Sequence, residues 1–316
     1  MYRGKRIAVV VPAYNEELLV RSTLEGIPAF VDRIYAINDG SADSTYDIIV
    51  QRSKEDERVV PIDHKVNRGV GAALITGYKR SMKDGMDITA VMAGDDQMDP
   101  RYLPALLDPI VEGRADYSKG NRLADVDYVK GMSAFRLLGN AVLTLLTKLS
   151  TGFYNINDPQ NGYTAMSNEV FETIDPDSIF PWYGYCNDIL MRLKVHGFRV
   201  VDVPIPARYG RERSSIPYPM YMARLSRLLL VNFILRLGMK KALLRPRRAP
   251  RSTVAGVALI AIGGAAAAMP GIAMEASQTD ITGGLVLITI GTGVVLVLYG
   301  HLINMASKKF EVPSTR

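Results

Sequence analysis

The 316-residue sequence contains one cysteine, Cys186, which excludes an intrachain disulfide and a cysteine-based zinc site. Its three histidines, His64, His196 and His301, are scattered and outline no site. The opening residues Met1–Arg6 are polar and basic, and Ile7–Val11 is too short for a signal-peptide core, so no secretory leader is expected. Acidic residues are scarce towards the end. From Arg236 onward ten basic residues face only Glu275, Asp280 and Glu311, while the preceding chain is close to neutral. The formal charge of +6 therefore belongs to the tail, which argues against a nucleic-acid-binding body.

Long apolar runs are likewise missing until that tail. Residues 252–274 and 282–304 contain no Asp, Glu, Lys or Arg, and each is long enough to cross a hydrocarbon core of about 30 Å. Their glycines and alanines suit close helix–helix contact and admit a homo-oligomer built through these spans. The connection between them has no Lys or Arg, whereas the flanks carry all ten, so both termini are expected in the cytoplasm. A buried hairpin in a soluble fold is the competing reading. Residues 220–243 set Arg224, Arg227 and Arg236 among leucines, the pattern of an interfacial helix whose arginines snorkel, with a core helix as the alternative. The run Arg245–Arg251 would favour the lipids of an anionic leaflet. The chain thus divides into a domain over residues 1–217, an interfacial and polybasic segment over 218–251, a transmembrane hairpin over 252–304, and a tail over 305–316.

The first half alternates buried strands with amphipathic helices. Arg6–Pro12 is a continuous β-branched run closed by proline, followed by a helical period opening at Asn15 and ending before Pro28. Strands are expected at 33–37, 59–62 and 88–92, with helices at 45–54 and from Gly71 through Met82. Such alternation predicts an α/β fold with a mostly parallel sheet covered on both faces. Ligands in these sheets bind beyond the carboxyl ends of the strands, here Pro12–Glu16, Asn38–Ser41, Asp63–Asn67 and Gly94–Asp99. The second half reads as helices at 101–112, 132–149 and 185–196, with strands at 116–121, 163–167 and 199–204.

The stretch Ile88–Pro100 organises the rest. An apolar strand breaks at Gly94 into Asp95, Asp96, Gln97 and Asp99. Clustered carboxylates beside an amide suit Mg²⁺ or Mn²⁺, which keep coordination positions open for a diphosphate. The competing reading is a solvated acidic turn.

Four short motifs stand in order at the strand ends: Pro12-Ala13-Tyr14-Asn15-Glu16, Asn38-Asp39-Gly40-Ser41, Asn67-Arg68-Gly69-Val70-Gly71-Ala72-Ala73 and Gly94-Asp95-Asp96-Gln97. Together they resemble the family 2 glycosyltransferases of GT-A fold, closest to the branch that transfers hexoses to dolichyl or polyprenyl phosphate. The resemblance spans residues 6–215. It implies a nucleotide-sugar-binding surface from Pro12, Tyr14, Glu16, Asp39, Asn67, Gly69, Asp95 and Asp96, with Gly69 and Gly71 letting the backbone pass close to the nucleotide. It also implies a divalent cation, Mg²⁺ or Mn²⁺, placed by Asp95 and Gln97. Ala93 stands where the family's first metal-motif aspartate is usual.

Asp158-Pro159-Gln160-Asn161-Gly162-Tyr163 resembles the acceptor-side loop of the same branch. Asp188 aligns with an acidic position, while Cys186 stands where members acting on hydroxyl acceptors carry a general base. A sugar hydroxyl must lose its proton to attack, whereas a polyprenyl phosphate is already anionic. The missing base favours the phosphate. Arg122, Arg208, Arg211 and Arg213 are expected to hold that phosphate, guanidinium matching its geometry. The implied activity is inverting hexosyl transfer from a UDP- or GDP-sugar to polyprenyl or dolichyl phosphate at the cytoplasmic membrane face, with Asp95 and Arg122 in the catalytic centre. The alternatives are extension of a lipid-linked or surface glycan with Asp158 or Asp188 as base, and an inactive GT-A binding subunit, for which Ala93 is the motive.

Overall fold

The computed structural model describes residues 1–129, 134–206, 208, 225–233 and 236. The expected spans 252–274 and 282–304, the polybasic run, the tail, Arg211 and Arg213 lie outside these residues. Among the described residues no helix is long and apolar enough to cross a membrane.

Seven strands form one sheet in the order β3-β2-β1-β4-β6-β5-β7. They are β1 Ile7–Ala13, β2 Arg33–Asp39, β3 Val59–His64, β4 Ile88–Val91, β5 Tyr117–Asn121, β6 Thr164–Ser167 and β7 Val200–Pro204. Every pairing is parallel except those of β6, which runs antiparallel to both β4 and β5. The helices are α1 Val20–Gly26, α2 Thr45–Glu55, α3 Val70–Lys83, α4 Leu103–Val111, α5 Ala134–Thr151, α6 Asn168–Thr173 and α7 Tyr185–His196. The sequence pattern predicts all but α6, a short helix capped by Ser167 Oγ, which accepts the Val170 N–H at 3.4 Å.

All seven residues of β1 are buried because helices cover both faces of the sheet. On one face Val9, Val11, Ile34 and Ala36 pack with Leu24, Ile49, Leu103 and Leu106. On the other, Val10, Tyr35 and Ile37 meet Leu74, Tyr78, Phe171 and Leu190. Burying a Val, Leu or Ile side chain contributes about 1.5–3 kcal/mol as an upper bound, so these two clusters hold the strand ends that carry the site. The parallel register aligns Ala13 with Asn38, Asn38 with Asp63, and Asp39 with His64. The motif-bearing turns therefore emerge together on one sheet edge.

Helical residues 225–233 lie within the expected interfacial segment. Leu225 and Leu229 pack with Leu143 of α5, leaving Leu230 and Val231 exposed. Arg227 is exposed, but Arg236 is 6% exposed and donates Nη2–H to the Leu149 carbonyl at 2.8 Å. The expectation that Arg236 snorkels to lipid is corrected: a backbone carbonyl at the end of α5 takes up its guanidinium.

Candidate active site at the carboxyl edge of the sheet

The first two turns are bound to each other. Asn15, at φ 55°, accepts the Ala42 N–H at 2.9 Å and donates its own N–H to Ser41 Oγ at 3.0 Å. The Glu16 N–H reaches Thr45 Oγ1 at 2.8 Å and the Glu17 N–H reaches Asp43 Oδ2 at 3.2 Å. These bonds occupy the backbone of residues 15–17, so the helix expected from Asn15 begins at Val20. Pro12 is buried in β1 and its carbonyl accepts the Gly94 N–H at 3.0 Å, seating the end of β4 beside it. Tyr14 stands 43% exposed on the same edge.

Asp39 is the hub of the third turn. It is 3% exposed; Oδ1 accepts from the Arg68 N–H at 3.0 Å and faces His64 Nδ1 at 2.9 Å, while Oδ2 accepts from the Gly69 N–H at 2.9 Å. The carboxylate caps α3 from a distance and places negative charge where a helix N-terminus favours it. Asn67 Oδ1 accepts the same Gly69 N–H at 3.1 Å. Both side chains thus fold the turn that opens α3, at the edge where their contacts with a nucleotide are expected.

At the end of β4 the neighbouring carboxylates have different partners. Asp95 Oδ1 accepts the Gln97 N–H at 3.2 Å. Asp96, in the left-handed region at φ 55°, accepts from Ser22 Oγ at 3.1 Å and from both terminal nitrogens of Arg208 at 3.3 Å. A cavity of about 540 Å³ opens there, lined by Ser22, Met92, Asp96, Arg101, Pro206 and Arg208. Asp96 thus pairs with the α1 side and with Arg208, which meets a carboxylate where a phosphate is expected.

Among the described residues no three His, Cys, Asp or Glu side chains converge as a metal-binding group. Asp95, with the Gln97 amide next to it in the same turn, offers one carboxylate and one amide oxygen. This donor set fits Mg²⁺ or Mn²⁺, hard ions that bind through one or two carboxylates and take further oxygens from a diphosphate and water.

The loop before β6 is held from below. Arg122 donates Nε–H to Asp158 Oδ2 at 2.7 Å, Nη2–H to Oδ1 at 3.0 Å, and its backbone N–H to Oδ2 at 3.1 Å. Buried Lys119 donates to the Asn161 carbonyl, to which Cys186 Sγ also points at 3.7 Å. The Asn157 N–H donates to Asp202 Oδ2 at 2.7 Å. Burial pushes the Asp202 carboxyl up to about 6, and its Oδ1 has no hydrogen-bond partner. Asp158 is 1% exposed and Asp188 3%. Asp188 Oδ2 accepts from the Phe180 N–H at 2.9 Å and from Arg192 Nε–H at 3.1 Å. Neither carboxylate is placed to take a proton from an entering hydroxyl, which corrects their expected role as bases.

The segment 180–184 joins this edge without any forewarning from a motif. The Ala72 N–H donates to the Pro181 carbonyl at 3.0 Å. A Cβ on Gly71 would lie 2.4 Å from Phe180 O, and one on Gly69 would lie 2.8 Å from two indole carbons of Trp182. The space on the Cβ side of these glycines is filled by residues 180–182. Trp182 and Tyr183 remain 37% and 43% exposed. The Tyr183 phenol is pushed up by burial and by the charges of Asp95, Glu16 and Asp39. A search for charged or glycine-rich motifs passes over an aromatic pair; the Pro181-Trp182-Tyr183-Gly184 run ahead of α7 was the signal available.

Comparisons with known proteins agree with the fold. The family model described as Glycosyl transferase family 2 matches residues 8–175. A UDP-N-acetylglucosamine–dolichyl-phosphate N-acetylglucosaminyltransferase from Methanococcus voltae is 29% identical over 65% of this chain and 86% of its own. A polyprenol monophosphomannose synthase from Mycolicibacterium smegmatis is 29% identical over 64% and 77%. The fold is shared with glucosyl-3-phosphoglycerate synthase from Mycobacterium tuberculosis, solved with Mn²⁺, UDP and phosphoglyceric acid, at a TM-score of 0.56 and 22% identity over 74% and 79% of the two chains. With its mostly parallel sheet, its ordered turns and a family match over more than half its length, the chain belongs to glycosyl transferase family 2 and is a glycosyltransferase.

Proposed function

We propose that this glycosyltransferase moves a hexose from a UDP- or GDP-sugar to a polyprenyl or dolichyl phosphate at the cytoplasmic face of a membrane, with inversion at the anomeric carbon. The observation that carries the reading is the state of Asp158 and Asp188. Both are buried and taken up by arginines and backbone amides, so neither lies open to deprotonate an entering hydroxyl. An acceptor phosphate arrives already ionised and needs no base. The relatives whose names specify dolichyl-phosphate and polyprenol acceptors support the same choice.

In this scheme Asp95 and Gln97 orient the diphosphate end of the donor at the carboxyl end of β4. A divalent cation bound there would stabilise the charge developing on the departing nucleoside diphosphate. Arg122, held in place by Asp158, and the basic residues Arg208, Arg211 and Arg213 attract the acceptor phosphate. The acceptor oxygen then attacks the anomeric carbon in line with the departing diphosphate. The expected spans 252–274 and 282–304 would anchor the chain in the membrane that carries its lipid acceptor, with the polybasic run suited to anionic headgroups.

Membranes containing the chain are incubated with radiolabelled UDP-N-acetylglucosamine, UDP-glucose, UDP-galactose or GDP-mannose, polyprenyl phosphate and Mn²⁺. Acid-labile label in the organic phase from one donor, lost in Asp95→Asn, is the expected result. No organic-phase label from any donor sinks the reading and points to a glycan acceptor or to an inactive binding subunit.

A further inference from the structure

The loop that carries Trp182 and Tyr183 is built as a rigid support. Its entry is clamped where Asp188 accepts the Phe180 N–H at 2.9 Å, and Arg192 holds Asp188 while also reaching Ser178. Its middle is clamped where Pro181 O accepts the Ala72 N–H at 3.0 Å. Its exit turns through Gly184 at φ +116°, with the Tyr185 N–H donating to Trp182 O at 3.2 Å. Gly69 and Gly71 leave room for its backbone and for one part of the indole. A loop fixed at three points would ordinarily bury its aromatics, since apolar area removed from water is what stabilises such docking. Here two large side chains on a fixed backbone are left 37% and 43% exposed.

The surroundings indicate what they meet. The Trp182 indole lies against Gly69, whose N–H is held by Asp39 at the carboxyl edge of the sheet. That edge also carries the Asp95 turn read as facing the diphosphate. The charges of Asp95, Glu16 and Asp39 reach the neighbouring Tyr183 phenol. The hexose is bonded directly to that diphosphate, and its ring presents an apolar C–H face flanked by hydroxyls. An aromatic pair with one phenolic O–H offers the matching surface: ring area for the C–H face and one hydrogen bond for a hydroxyl. We propose that Trp182 and Tyr183 form the subsite for the hexosyl ring of the nucleotide-sugar donor, positioning its anomeric carbon; this rests on the nucleotide-sugar reading above. A pair that meets only the hexosyl ring discriminates a nucleotide-sugar from the bare nucleoside diphosphate.

Trp182 is the only tryptophan of the chain, which makes its emission a reporter of this one position. The full chain in detergent is titrated with UDP, GDP and the four nucleotide-sugars in the presence of Mn²⁺, with fluorescence and calorimetry read in parallel. The expected result is a change in Trp182 emission with one nucleotide-sugar that exceeds the change with its diphosphate. Tyr183→Phe should weaken that nucleotide-sugar by about tenfold, the worth of one hydrogen bond, while leaving the diphosphate affinity within about twofold. Trp182→Phe, followed by calorimetry, should weaken the nucleotide-sugar selectively as well. Unchanged melting temperatures establish that the variants are folded. Tight nucleotide-sugar binding by the native chain, with both variants unaffected or with sugar and diphosphate weakened equally, overturns the subsite alone. No binding of any nucleotide-sugar by the native chain overturns the donor reading and the subsite together.

Discussion

Arg122 and Asp158 form a two-pronged ion pair, Nε to Oδ2 at 2.7 Å and Nη2 to Oδ1 at 3.0 Å, with the Asp158 side chain 1% and that of Arg122 19% exposed. Such a pair is costly to break from one side, because the remaining charge stays buried without its partner. Arg122→Gln is expected to destabilise the chain by about 3 kcal/mol. Arg122→Gln with Asp158→Asn should recover much of that loss, leaving a coupling energy of about 1–3 kcal/mol in a double-mutant cycle of denaturant melts. Additive effects of the two single changes would contradict the pairing.

Gly71→Ala places a methyl group 2.4 Å from Phe180 O and 2.8 Å from the Pro181 carbonyl carbon, both backbone atoms with little freedom to yield. The 180–184 loop must then lift from α3. Overpacking of this kind costs about 1–3 kcal/mol. The expected readings are a lower melting temperature, faster proteolysis within 180–184, and a higher KM for the donor.

Asp202 gives a pH dependence of definite sign. Its folded-state carboxyl titrates at about 6, above the ordinary 3.8 of a free aspartate, because burial disfavours the charged form. Between these values the folded chain binds more protons than the unfolded one, so stability falls as pH rises from about 4 to about 6 and stays lower above that. Asp202→Asn removes the penalty while keeping an acceptor for the Asn157 N–H. It should stabilise the chain at pH 8 by on the order of 2 kcal/mol and have little effect at pH 4, as measured by melts at the two pH values.

The metal motif makes a separate prediction. With Asp95 as its single described carboxylate, the site depends on the diphosphate for further oxygens. A chelator should lower transferase activity at least about a hundredfold, restored by Mn²⁺ or Mg²⁺. Ala93→Asp adds a second carboxylate at the usual family position and should tighten Mn²⁺ in the presence of UDP by about tenfold, as read by calorimetry. Undiminished activity after chelation would exclude the cation.

Periodicity and motif order determined a great deal by themselves. The buried β-branched runs, the glycine-closed turns and the proline stops fixed the strand–helix alternation, and parallel pairing then put the turns at Pro12–Glu16, Asn38–Ser41, Asp63–Asn67 and Gly94–Asp99 on one edge. Those signals are local, each readable within a dozen residues. What a carboxylate does is not local. The sequence marks Asp39 as a candidate ligand for ribose, and only the structure shows that it also caps α3, because His64 and the amides of Arg68 and Gly69 converge on it. Asp96 adjoins Asp95 in the chain, yet a left-handed backbone at φ 55° gives it to Ser22 and Arg208. Only the tertiary structure carries Trp182 and Tyr183, more than a hundred residues beyond Gly69, onto the turn that opens α3. Pattern follows from backbone geometry and burial along each element. The partner of a polar or aromatic side chain depends on which distant segments the packed core brings within hydrogen-bond or contact distance.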